Sequence, residues 1–210
     1  MAEISMNRAI HFAVRRDLDR FVDALARFPD GDSRRADQLG TAWENFDFQL
    51  TNHHEGEHEI AWPALEKIGV TRDVLATMDA EHDVMAARLA GAREAMATLR
   101  SAPTAAHAQA AHAAMVELQA ATVQHLDHEE AEIEPLYLAK RDDPVMKQMG
   151  RQFCKVSPKQ GGVFFAWVTD GASPEAMQGI RGNVPGPVLT IIGGIFGRSY
   201  RRDVAPVWKA

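Results

Sequence analysis

Cysteine is nearly absent from this chain: Cys154 is the only one in 210 residues. An internal disulfide is therefore excluded, and the expected setting is a reducing cytoplasm. Long apolar runs are also lacking. No stretch reaches the about 18 residues that would span a bilayer, and the best candidate, residues 184–197, is interrupted by Pro185, Pro187 and several glycines. Charges interrupt Met1 to Arg16 throughout, so no secretory leader is expected there. Excess positive charge is missing too. With 23 Lys and Arg against 29 Asp and Glu, the net charge of −6 gives no general reason to expect nucleic-acid binding. The remaining composition, 46% hydrophobic and 25% charged, is that of a soluble globular chain. Its length suits one domain, or one domain with an appendage.

Against this background one stretch stands out: His53-His54-Glu55-Gly56-Glu57-His58-Glu59, followed by Trp62-Pro63. Three imidazoles and three carboxylates make a poor apolar core. At helical spacing His53 and Glu57 project from one face, and a neutral imidazole beside a carboxylate suits first-row transition metals. The pattern recurs, because His125, Glu129 and Pro135 repeat the spacing of His53, Glu57 and Pro63. Chance predicts roughly 0.6 copies of His-x3-Glu in such a chain, but only about 0.03 once the proline is required. His128 and Glu132 have the four-residue spacing but lack the proline, which favours the His125/Glu129 register.

Apolar periodicity places four long helices around these motifs. The first spans about 3–28 with Val14, Leu18, Phe21 and Leu25 inward, and Ser33 is expected to cap the second, about 34–61, with Trp43, Phe46 and Leu50 leading into His53. The third runs from Thr71 to about Arg100, and the fourth, rich in alanine, to about Leu138. Short turns between them predict an all-α, up-down-up-down four-helix bundle over residues 1–140. Each half is a hairpin with one histidine on its first helix, His11 or His82, and the His-x3-Glu-x5-Pro motif on its second. Folding the hairpins together would assemble four imidazoles and two carboxylates, an inventory suited to two metals with both carboxylates bridging.

Residues 141–210 are richer in glycine and proline and read as an extension of short helices, with a helix start at Ser173-Pro174 and another short helix over 187–196. This tail is expected to pack on the bundle; the alternatives are a homodimer or partner contact and a membrane-surface element.

At His11, His53-x3-Glu57, His82 and His125-x3-Glu129 the sequence resembles the hemerythrin family, more closely its branch of HHE cation-binding domains. Residues 53–63 are similar to that branch's H-H-x-x-E-E-x-x-L-F-P motif, with His58, Ala61 and Trp62 replacing Glu, Leu and Phe. Glu81-His82 resembles its E-H pair, and residues 125–135 its second motif. The resemblance implies a non-haem di-iron centre, two Fe ions joined by an oxo or hydroxo bridge, with His11, His53, Glu57, His82, His125 and Glu129 as ligands. His54, Glu81, His128 and Glu130 are candidates for an additional ligand or for orienting the ligands. Oxygen carriers of the family have a further histidine where this chain has Ala86, which points away from simple reversible carriage. The expected function is reaction with O2, hydrogen peroxide or nitric oxide, with catalase-like peroxide decomposition favoured. The alternative is an iron- or O2-binding carrier or sensor without turnover. No catalytic acid or base is identifiable.

Overall fold

A computed structural model describes residues 4–209; the expected helix start at Glu3 lies outside them. Four long helices form the body: α1 (Met6–Ala26), α2 (Ser33–Gly56), α4 (Arg72–Ser101) and α5 (Ala105–Glu132), with the short α3 (Trp62–Lys67) continuing α2. Side-chain oxygens satisfy the free N–H groups at their starts. Ser5, Asp32, Thr71 and Thr104 each accept from a backbone N–H three residues on. Asp32 is the cap of α2, one residue before the expected Ser33, because its carboxylate reaches the Arg35 N–H at 2.9 Å.

Cross-helix pairs show the antiparallel order. Between α1 and α5, Asn7 meets Glu129, Arg15 meets Asp127, and Asp19 meets Gln119, and the cap Ser5 meets Glu134 just beyond α5. Asp37 and Asp47 of α2 meet Arg100 and Arg93 of α4, and Arg88 of α4 meets Glu117 of α5. The exposed ion pairs among them, such as Arg88–Glu117 and Arg100–Asp37, each contribute at most about 1 kcal/mol. The core between the helices contributes more, at about 1.5–3 kcal/mol for each fully buried large apolar side chain, among them Leu18, Phe21, Phe46 and Leu118.

That core is split. One apolar cluster runs through Phe21, Phe46, Leu50, Met85 and Leu126. The other gathers Trp62, Leu65, Met78 and Ile133 with Met146 and Met149 of α7 (Pro144–Phe153). On α2 and α4 the histidines lie between the two clusters in sequence, and on α5 Glu129 does, so the chain holds a polar layer between two apolar plugs. The prolines mark its edge. A proline cannot donate to the preceding turn and crowds its carbonyl. Before Pro63 the helix widens into a π-helical segment, Glu57–Ala61, and before Pro135 it breaks at Ile133 and resumes as α6 (Glu134–Ala139). Single π turns of this kind concentrate at functional sites.

Beyond α7 come α8 (Pro158–Thr169) and α9 (Pro174–Asn183), then a short apolar stretch, 186–196, and the closing turns 198–209. The stretch 186–196 is interrupted by a π-helical segment, Leu189–Gly193, where the sequence suggests one continuous helix. Trp167 and Tyr200 are fully buried, and Trp208 stands edge-on to Phe21 at 4.9 Å. Asp17 on α1 accepts from the Trp167 indole at 2.8 Å and from Arg16 and Arg20 at 2.8 and 3.1 Å. Gly162 and Gly197 let α8 and the stretch 186–196 approach closely, since a Cβ at Gly162 would sit 2.3 Å from Phe196. Among the described residues, no helix is long and apolar enough to cross a membrane.

Candidate metal centre

All six residues singled out by spacing converge in the polar layer. His11 comes from α1, His53 and Glu57 from α2 and its π segment, His82 from α4, and His125 and Glu129 from α5. Their ligand atoms fall into two groups, each within 4.8 Å: His11, His53, Glu57 and Glu129, and His54, Glu57, His82 and His125. Glu57 belongs to both. Its Oε1 lies 3.2 Å from His53 Nε2, and its Oε2 lies 3.4 Å from His82 Nε2. Glu129 Oε2 is 3.1 Å from His11 Nε2 and 3.9 Å from His125 Nε2. His54 therefore completes the second group, at the side of the bundle where Ala86 leaves α4 without a second histidine. Its ring lies 4.4 Å from that of His82.

Carboxylates hold the far sides of the imidazoles, the arrangement that fixes tautomer and ring orientation in metal sites. Glu81 lies 2.9 Å from His125 Nδ1 and 2.8 Å from His128 Nδ1. Glu130 lies 3.0 Å from His11 Nδ1 and accepts from Arg15 at 2.6 Å. Two contributors carry no periodic sequence signal. Asn7 donates to Glu129 Oε1 at 2.9 Å, and only its place four residues before His11 hints at this. Asp79 accepts from the Trp62 indole at 2.8 Å, and Trp62 stacks on His82 at 5.8 Å and 14°. His58 points away to Asp79 at the surface, and His107 bonds the Ala102 carbonyl at the remote turn.

The electrostatics favour neutral, ligating imidazoles. Burial, reinforced by the charge that His11, His82 and His125 would carry, pushes His53 down to about 3. Burial and His125 bring His82 to about 4. Burial also holds His54 well below the usual histidine value and lowers His125. His11 goes the other way: burial would lower it, but Glu129 and Glu130 hold its proton and raise it. Burial and the neighbouring Glu129 push Glu57 well above the usual carboxylate range. Glu129 is pulled down to about 2 by His11, His53 and His125 against the effect of burial.

A buried polar atom without a partner costs about 1–3 kcal/mol. Both oxygens of Glu57, Oε2 of Glu129, and Nε2 of His53 and His54 are buried with no aligned hydrogen bond among the described residues. Imidazole nitrogens and carboxylate oxygens left open toward one another are the donor set of a transition metal, so the residues present fit metal ions.

Residues 4–149, more than two thirds of the chain, match the family model described as the hemerythrin HHE cation binding domain. No curated protein and no solved structure matches the chain. The chain belongs to the hemerythrin HHE cation-binding family.

Proposed function

We propose that this protein holds two iron ions and uses them to react with a small oxidant, with decomposition of hydrogen peroxide to water and O2 the favoured reaction. The observation that carries the reading is the pair of donor groups sharing Glu57. His11, His53, Glu57 and Glu129 would hold one ion, His54, Glu57, His82 and His125 the other, and Glu129 would reach toward both. When bound, such a pair supplies two one-electron redox equivalents and coordination positions for a small molecule. The chain supplies the rest. Glu81 and Glu130 keep the Nδ1 sides of His125 and His11 hydrogen-bonded, leaving each Nε2 toward the centre. Asn7 pins one oxygen of Glu129 and leaves the other free. Leu50, Met85 and Leu126 on one side and Met78 and Ile133 on the other flank the centre with buried apolar side chains.

A second reading, a carrier or sensor without turnover, draws support from α1. That helix carries His11, and six residues later Asp17, which binds the tail through Trp167. Occupancy at His11 would then be felt by residues 141–210, which we take as an appendage to the metal-binding domain and the place for a homodimer or partner contact. The exposed, unpaired Cys154 accords with a reducing, cytoplasmic setting.

The two readings separate on turnover. The iron-loaded protein is given a large excess of hydrogen peroxide while O2 is measured with an electrode. Sustained release of one O2 for every two peroxides supports the enzyme. Reaction that stops after one equivalent per site replaces it with the carrier or sensor.

A further inference from the structure

The two donor groups share a carboxylate but differ in their access to solvent. His54 and His82 line an open cavity of about 490 Å³, whereas His11, His53, Glu57 and Glu129 do not line it. His82 is 11% exposed, and His11 and Glu129 are fully enclosed.

The cavity wall is acidic. Glu55, Glu59, Asp79 and Asp83 all line it, while Arg93 is the only Lys or Arg that does. Arg93 is already neutralised by Asp47, which accepts from its Nε at 2.8 Å and its Nη2 at 2.6 Å. The inner wall is apolar, formed by Leu50, Met85 and Leu89. A cleft lined by one sign of charge over low-dielectric walls focuses the field and raises the local concentration of counter-ions. At its floor stands an independent feature: Nε2 of His54 is buried and has no hydrogen-bond partner among the described residues.

We propose that this cavity is the entry route for divalent cations, and that His54 and His82 receive each ion first. The proposal rests on the reading that the centre holds metal. The ion held by His54, Glu57, His82 and His125 is then the exchangeable one, and the ion held by His11, His53, Glu57 and Glu129 passes through it and is retained. The carboxylates at the mouth act on the rate of loading and contribute nothing to the final complex.

The test uses the metal-free full-length protein and Co²⁺ alone, with bound metal measured after rapid quenching by chelator. The variant Glu55→Gln/Glu59→Gln/Asp83→Asn removes three charges from exposed positions, where substitutions change stability little. At about 20 mM salt it should load roughly tenfold more slowly than the unaltered protein. The gap should close at about 0.5 M salt, where screening is short-ranged. Final metal content should be equal. A control that removes three remote charges, Asp23→Asn/Glu117→Gln/Glu175→Gln, should load at the unaltered rate. Equal rates for the mouth variant and the unaltered protein, or equal slowing in the control, would overturn the route while leaving the centre intact. Failure of the unaltered protein to bind Co²⁺ is a different result, which overturns the metal reading itself.

Discussion

Metal binding should release far fewer protons than the number of histidines suggests. At pH 6 a histidine of ordinary pKa is about three-quarters protonated, so five such ligands would give up about four protons on binding metal. Burial changes that sum. His53 at about 3 and His82 at about 4 are already neutral at pH 6, His54 is held well below its usual value, and His125 is lowered. Glu129, at about 2, is already ionised. His11 and Glu57 go the other way, their pKa values both raised, so these two hold their protons most firmly against an incoming metal. Release should therefore fall well short of four protons per chain, and affinity should strengthen as pH rises, by about tenfold per pH unit for each proton released. The assay is calorimetric titration of the metal-free protein with Co²⁺ at pH 6, in two buffers of different ionisation enthalpy. Release of about four protons would refute the buried, neutral imidazoles. Release of none would refute ligation by His11 and Glu57.

The same shifts carry further expectations. For His53, His54, His82 and His125 the folded pKa lies below the unfolded one, so the unfolded chain binds more protons between those values and stability falls with acidification; His11 and Glu57 oppose this. The urea midpoint of the metal-free protein should drop between pH 7 and pH 5, each lowered histidine contributing up to about 1.4 kcal/mol per pH unit; a flat or rising midpoint would contradict the assignment. Replacing His54 with Ala should leave about half the metal, removing the ion of the exposed group, as read by elemental analysis; full content would exclude His54 as a ligand. Asp17→Ala strands the Trp167 indole and part of the Arg16 and Arg20 pairing. It should cost about 3 kcal/mol in urea unfolding, and Asp17→Asn less, whereas a loss under about 0.5 kcal/mol would make the link to the tail incidental.

The helices were legible because their apolar residues recur at three and four. The centre was legible because His-x3-Glu-x5-Pro occurs twice, each copy preceded by a lone histidine one helix earlier. What periodicity cannot convey is partnership across helices. Asn7 and Asp17 look like ordinary polar residues of α1 until α5 and α8 are packed against them. His54 sits 100° around α2 from His53, and only the widening of the helix after Gly56 and the ring of His82 beside it show which way it faces. The tail was the least readable part. Its burial depends on Trp167, Tyr200 and Trp208 finding α1 and α2, and short segments rich in glycine and proline carry too few turns to show a face.

The central claim is that two ions share Glu57, and counting metal tests it most directly. The protein would be loaded anaerobically with ferrous iron, freed of excess, and assayed for iron per chain beside Glu57→Ala, Glu129→Ala and His107→Ala. Two irons in the unaltered protein and in His107→Ala, with most of the metal lost from both Glu variants, is the result the account predicts. One iron or none in the unaltered protein, or full content in both Glu variants, would contradict it.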